Sequence, residues 1–73
     1  MPDYNPLARK EVSTFYSNDG KMRSIVYANP MSGTFEVDFE NEGAVIKTES
    51  YPAHNLNFHE DAAENYVLGI KKV

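Results

Sequence analysis

The stretch Leu56 to Val73 constrains this chain most, because its apolar residues recur at the helical period. Phe58, Ala62, Tyr66 and Ile70 follow one another at steps of four, with Ala63, Val67 and Val73 beside them. That spacing predicts a helix with one apolar stripe. Asn57 offers an N-cap, and Glu60 stands three residues on, where it could reach back to the cap amide. Glu60, Asp61, Glu64 and Asn65 fall on the other side. The early acids suit the positive end of the helix dipole, and Lys71 and Lys72 suit its negative end. Gly69 offers an earlier stop, which would leave Ile70 to Val73 as a tail. A helix with one apolar stripe must lie on something, so the rest of the chain has to supply a second layer.

That layer reads as β-sheet. Thr34 to Glu40 is the clearest strand, with Phe35, Val37 and Phe39 alternating with Glu36, Asp38 and Glu40. One face is then apolar and the other acidic and wet. Asn41-Glu42-Gly43 is a turn, and Ala44 to Tyr51 a further strand. In it Val45 or Ile46 points inward and Lys47 and Glu49 stand in water; Pro52 stops it. Upstream, Met22 to Ala28 is β-prone, and Asn29-Pro30-Met31-Ser32-Gly33 breaks it. The segment before Asn18-Asp19-Gly20 fits two patterns. Ala8, Val12, Phe15 and Tyr16 suit a helical stripe opened by Asn5-Pro6. The run Val12 to Tyr16 is nevertheless rich in β-formers and leads into a tight-turn signal, which favours a hairpin. The expected fold is α+β: a small three- or four-stranded antiparallel β-meander with a C-terminal helix on one face. Residues 1–10 read as a flexible N-terminal segment and residues 11–73 as a single domain.

At 73 residues the chain has room for one core, and a domain this short buries only about 60% of its unfolded surface. It has no cysteine, which excludes disulfide staples, thiolate nucleophiles and thiolate zinc sites. Oligomerisation is the remaining common source of burial, so a homodimer is a natural expectation. No apolar run approaches the roughly 20 residues that cross a bilayer, and the start lacks a signal-peptide pattern. A soluble, cytoplasmic protein is expected.

The net charge of −4 is unevenly distributed. Residues 34–64 hold eight acids and one lysine, a balance of −7. Such a field repels nucleic-acid phosphates and attracts basic partners. Tyr16, Tyr27 and Tyr51 could stack bases, but few basic groups accompany them. A helical first segment would give the order αβββα, which resembles a double-stranded-RNA-binding domain. The lysine-rich helix start of that fold is replaced here by His59, Glu60 and Asp61.

Catalytic patterns are absent. No Gly-x-Ser-x-Gly elbow and no phosphate-binding glycine loop occurs. His54 and His59 lack the spacing of metal ligands and read as a linker histidine and a first-turn histidine in solvent. General acid–base work needs a buried carboxyl with a shifted pKa, and the strand acids look solvated. The chain therefore reads as non-enzymatic, without cofactor or metal. Its candidate partner-binding residues are Glu36, Asp38, Glu40, Glu60, Asp61 and Glu64.

Three segments resemble short uncharacterised proteins of bacteriophages that infect marine cyanobacteria, over about residues 18–71. They are Asn18-Asp19-Gly20-Lys21-Met22-Arg23, then Asn29 to Val37, then Glu60-Asp61-Ala62-Ala63-Glu64-Asn65 with Leu68-Gly69-Ile70. The resemblance supplies no functional residues. It implies a context, since small phage proteins often bind and redirect a host protein. A protein-interaction module acting through an acidic surface is the expectation, with a self-associating structural protein as the alternative.

Overall fold

Two central strands carry the molecule. In a computed structural model that describes residues 8–73, Met22–Asn29 (β2) and Thr34–Asn41 (β3) pair antiparallel without interruption, from Met22 opposite Asn41 to Asn29 opposite Thr34. Lys10–Tyr16 (β1) adds to one side and Ala44–Glu49 (β4) to the other, giving a four-stranded meander in the order β1-β2-β3-β4. Leu56–Val67 (α1) lies on one face. This is the expected α+β architecture, with the first segment a strand rather than a helix.

Local chemistry explains the turns. Asp19 closes the first hairpin, its carboxylate accepting the Ser17 hydroxyl at 2.7 Å and the Lys21 amide at 3.0 Å. Glu42 and Gly43 join β3 to β4 with φ of +52° and +85°. Positive φ at both central residues is the two-residue hairpin turn whose twist matches that of the strands. Each edge strand carries a bulge: Val12 is the unpaired extra residue in β1, and Ile46 in β4.

Alternation sorts the side chains. Val26, Val37 and Phe39 face α1 and are fully buried with Ala63; Tyr66 and Val67 complete the core, and Phe15, Met22, Phe35, Tyr51 and Leu56 pack around it. Ser24 and Ala63, both small, let helix and sheet approach closely, and the Ser24 hydroxyl donates to the Ala63 carbonyl at 2.7 Å. The Tyr66 hydroxyl donates to the Glu40 carbonyl at 2.9 Å while its ring meets Phe39 edge-on at 4.9 Å. The helix lies over β1, β2 and β3 rather than over β4.

Several local expectations are corrected. The N-cap is Asn55, whose side chain accepts the Phe58 amide at 3.1 Å, rather than Asn57. Starting at Leu56 lets that residue pack on the core, and it moves Glu60 and Asp61 out of the first turn. The helix ends at Val67, not Val73. Gly69 takes φ +82°, its amide donating to Tyr66 and the Ile70 amide to Asn65, a Schellman closure that only a residue at ease in left-handed backbone accepts readily. Lys71 and Lys72 therefore lie beyond the helix.

The buried stripe is His59, Ala63, Tyr66 and Val67, one residue on from Phe58 and Ala62; Phe58 is 42% exposed and Ile70 70%. In β4, Lys47 and Glu49 lie opposite Phe39 and Val37 on the helix side, while Val45 and Ile46 are both more than half exposed. The bulge at Ile46 shifts the alternation that the sequence alone suggests. Residues 1–7 of the expected flexible segment fall outside the described residues. Arg9 and Lys10, counted in that segment, are in place: Lys10 opens β1, and Arg9 is bound to β3.

Candidate functional site

The sheet face away from the helix holds the three strand acids, and they do not stand free in water. Asp38 and Glu40 are each only 5% exposed. Arg9 reaches Asp38 with two parallel hydrogen bonds, 3.0 Å to Oδ1 and 2.9 Å to Oδ2, and touches Glu36 at 3.2 Å. Its guanidinium lies 4.0 Å from the centre of the Tyr27 ring. The Thr48 hydroxyl donates to Asp38 at 2.8 Å, and the Asn29 side-chain amide to Glu36 at 3.1 Å. Arg23 donates to Glu40 through Nε at 3.1 Å and Nη2 at 2.6 Å. One cluster thus ties the flank of β1, through Arg9, to Tyr27 of β2, Asp38 of β3 and Thr48 of β4.

Burial pushes the Asp38 carboxyl up, but the hydrogen bonds from Arg9 and Thr48 and the Arg9 charge outweigh it, and the group sits below its ordinary range. Arg9 is held still more firmly protonated, chiefly by Asp38. An ionised carboxylate occupied by three donors is a structural anion. The expectation of a wet acidic face is therefore corrected for these residues: two arginines lie over it, at the alternating positions that solvent would otherwise fill.

The helix acids are elsewhere. Glu36, Asp38 and Glu40 occupy one side of the sheet, and Glu60, Asp61 and Glu64 belong to the helix on the other, so the six residues form two surfaces. Glu60 accepts a hydrogen bond from the Ser13 hydroxyl of β1. Asp61 and Glu64 are exposed and have no hydrogen-bond or ion-pair partner among the described residues.

Beside Asp61 the helix and the C-terminal segment enclose an open cleft of about 510 Å³, with Tyr51, Phe58, Ala62 and Ile70 as apolar lining and Asp61, Asn65 and Lys71 as polar lining. Glu49 organises its far side. It accepts the Tyr51 hydroxyl and contacts both Lys47 and Lys71 at 3.2 Å. The Tyr51 hydroxyl, ahead of the two lysines, holds Glu49 below the ordinary carboxyl range against the effect of burial. Burial, reinforced by Glu49, pushes the Tyr51 phenol up.

The histidines part company. His59 is fully buried rather than solvated, with Nδ1 2.8 Å from the Asn55 carbonyl and Nε2 accepting the Tyr51 amide at 3.1 Å. These two partners assign the neutral ring with its proton on Nδ1. Phe35 and Tyr51 lie 5.6 and 5.1 Å from its centre. His54 stacks on Phe58 at 3.8 Å. Among the described residues no group of three or more acidic, histidine or cysteine side chains is placed to hold a metal ion.

Sequence reasoning missed Arg9 and the cleft. No local signal links Arg9 to Asp38, 29 residues away. Helical spacing places Phe58 and Ile70 in the core, and only the turn of the helix sends them outward. No helix among the described residues is long and apolar enough to cross a membrane. Against protein-family models, curated proteins and solved structures, the chain finds no match.

Proposed function

We propose that the chain is a non-enzymatic protein-interaction module whose binding surface is the helix side. The observation that supports this reading is the division of the carboxylates. Asp38 and Glu40 are buried against arginines and offer a partner little surface, whereas Asp61 and Glu64 are exposed and without a partner among the described residues, Asp61 in one cleft with exposed Phe58 and Ile70. Unpaired charge beside exposed apolar surface is the composition of an interaction site: the apolar part supplies affinity and the charges supply steering and register. The resemblance to short cyanophage proteins adds the context of a host protein as partner, met in the host cytoplasm. The acidic ridge selects for a basic surface on that partner.

Binding steered by exposed charge weakens as salt screens it over about 8 Å at physiological ionic strength. The test is capture of cyanobacterial proteins on the immobilised chain at low and high salt, alongside Asp61→Lys/Glu64→Lys. A protein retained by the native chain at low salt, and lost both at high salt and on charge reversal, is the expected result. Retention that ignores the reversal would remove the helix ridge from the reading.

A further inference from the structure

Resting on the reading of the helix side as the interaction surface, we infer that its cleft is closed in solution by a second copy of this chain, with Ile70 of each protomer entering the cleft of the other. Other routes to self-association are obstructed. Both sheet edges are bulged, at Val12 and Ile46, and β4 carries Lys47 at its bulge. Bulges and edge lysines are the devices by which natural sheets avoid pairing edge to edge. The outer face is a layer of satisfied ion pairs, which a flat apolar contact would have to disrupt.

The helix side has the opposite character. Among the described residues seven apolar ones are buried while nine large ones are exposed, and four of those nine (Phe58, Leu68, Ile70 and Val73) fall between residues 58 and 73. A small domain without disulfides gains most by burying such residues against a partner. Ile70, at 70% exposure, lines the same cleft as Tyr51, Phe58 and Ala62. Knob and hole therefore belong to one patch, which is what a two-fold contact requires.

Within the cleft, as distinct from the Glu64 side of the helix that a basic host partner would meet, charge selects the second copy over a uniformly basic or acidic occupant. The same cleft bears Asp61, which has no partner among the described residues, and Lys71, whose ammonium has three donors and a carboxylate contact to Glu49. A uniformly basic partner would meet Lys71, and a uniformly acidic one would meet Asp61. A two-fold contact sets Asp61 of each copy against Lys71 of the other, twice.

Sedimentation equilibrium from low micromolar to submillimolar concentration tests this, with amide spectra confirming that each variant is folded. The native chain should show a monomer–dimer equilibrium. Ile70→Lys changes an exposed position and should weaken the dimer about tenfold or more. Asp61→Lys should weaken it too, and adding Lys71→Glu should restore it. A monomer at every concentration overturns the inference, as does a dimer indifferent to Ile70→Lys. So does a dimer dissolved by Ile46→Lys instead, which would place the contact at the β4 edge. Glu64 does not line the cleft and separates this inference from the module reading. A monomeric chain that still loses a captured partner on Glu64→Lys would overturn the dimer and leave the module intact. A dimer whose captured proteins ignore Asp61 and Glu64 would do the reverse.

Discussion

Arg9 grips Asp38 through two parallel hydrogen bonds of 3.0 and 2.9 Å, across the ring of Tyr27 and from the flank of a neighbouring edge strand. The carboxylate is nearly buried and the guanidinium about one-third exposed. Geometry of this kind resists screening better than a flexible surface pair does.

Removing Arg9 should therefore cost more than a surface charge usually does. Arg9→Ala strands Asp38 beside Thr48 alone, and breaking a buried pair costs several kcal/mol; the partial exposure of Arg9 reduces this to about 2 kcal/mol. Urea unfolding would measure it. Arg9→Lys should recover less than half, because an ammonium cannot reproduce the fork. Equal stability of Arg9→Ala and the native chain would show the clamp to be ornamental.

Acid should release the same clamp. Asp38 and Glu49 both sit below their ordinary values of 3.8 and 4.5 in the folded chain. The unfolded chain then binds more protons in this range, so the stabilisation is complete above those ordinary values and fades as pH falls through the lower folded ones. Melting temperatures recorded from pH 6 downward should decline most steeply below about pH 4. Asp38→Asn should flatten the decline.

His59 joins the β4–α1 connection to the helix. His59→Phe keeps a ring against Phe35 and Tyr51 but leaves the Tyr51 amide and the Asn55 carbonyl without their side-chain partner. A stranded buried polar group costs about 1–3 kcal/mol; these two groups are only part-buried, so a loss of about 1 kcal/mol is expected in denaturant titration. Amide exchange should also quicken first at Tyr51. Unchanged protection there would deny the bond its role.

One substitution should improve the protein. The Thr14 hydroxyl is buried with no hydrogen-bond partner among the described residues, in a strand position opposite Ile25. Thr14→Val removes that group at nearly constant shape and should raise stability by about 1 kcal/mol. A lowered melting temperature would mean that the hydroxyl has a partner in solution.

Much of the architecture is local and was legible. Asn18-Asp19-Gly20 and Glu42-Gly43 mark the hairpins because their backbone demands are met within a few residues. Phe35, Val37 and Phe39 declare the inward face of β3 because side chains alternate along any strand. The end of the helix was less legible: the apolar spacing runs on to Val73, and only the Schellman closure at Gly69 decides for the earlier stop.

The candidate site was decided by contacts the sequence does not order. Glu36, Asp38 and Glu40 look alike as a string of acids, and whether they face water depends on Arg9 and Arg23, which arrive through strand pairing across 29 and 17 residues. The face that α1 buries turned on His59, a polar residue that can enter a core only when both ring nitrogens find partners, and those partners lie at Tyr51 and Asn55. Sequence by itself determined the order of the elements and the kind of all but the first, because hydrogen bonding and alternation act over short spans. Tertiary structure alone decided which acids are neutralised and which remain open, because charge compensation depends on distance in space.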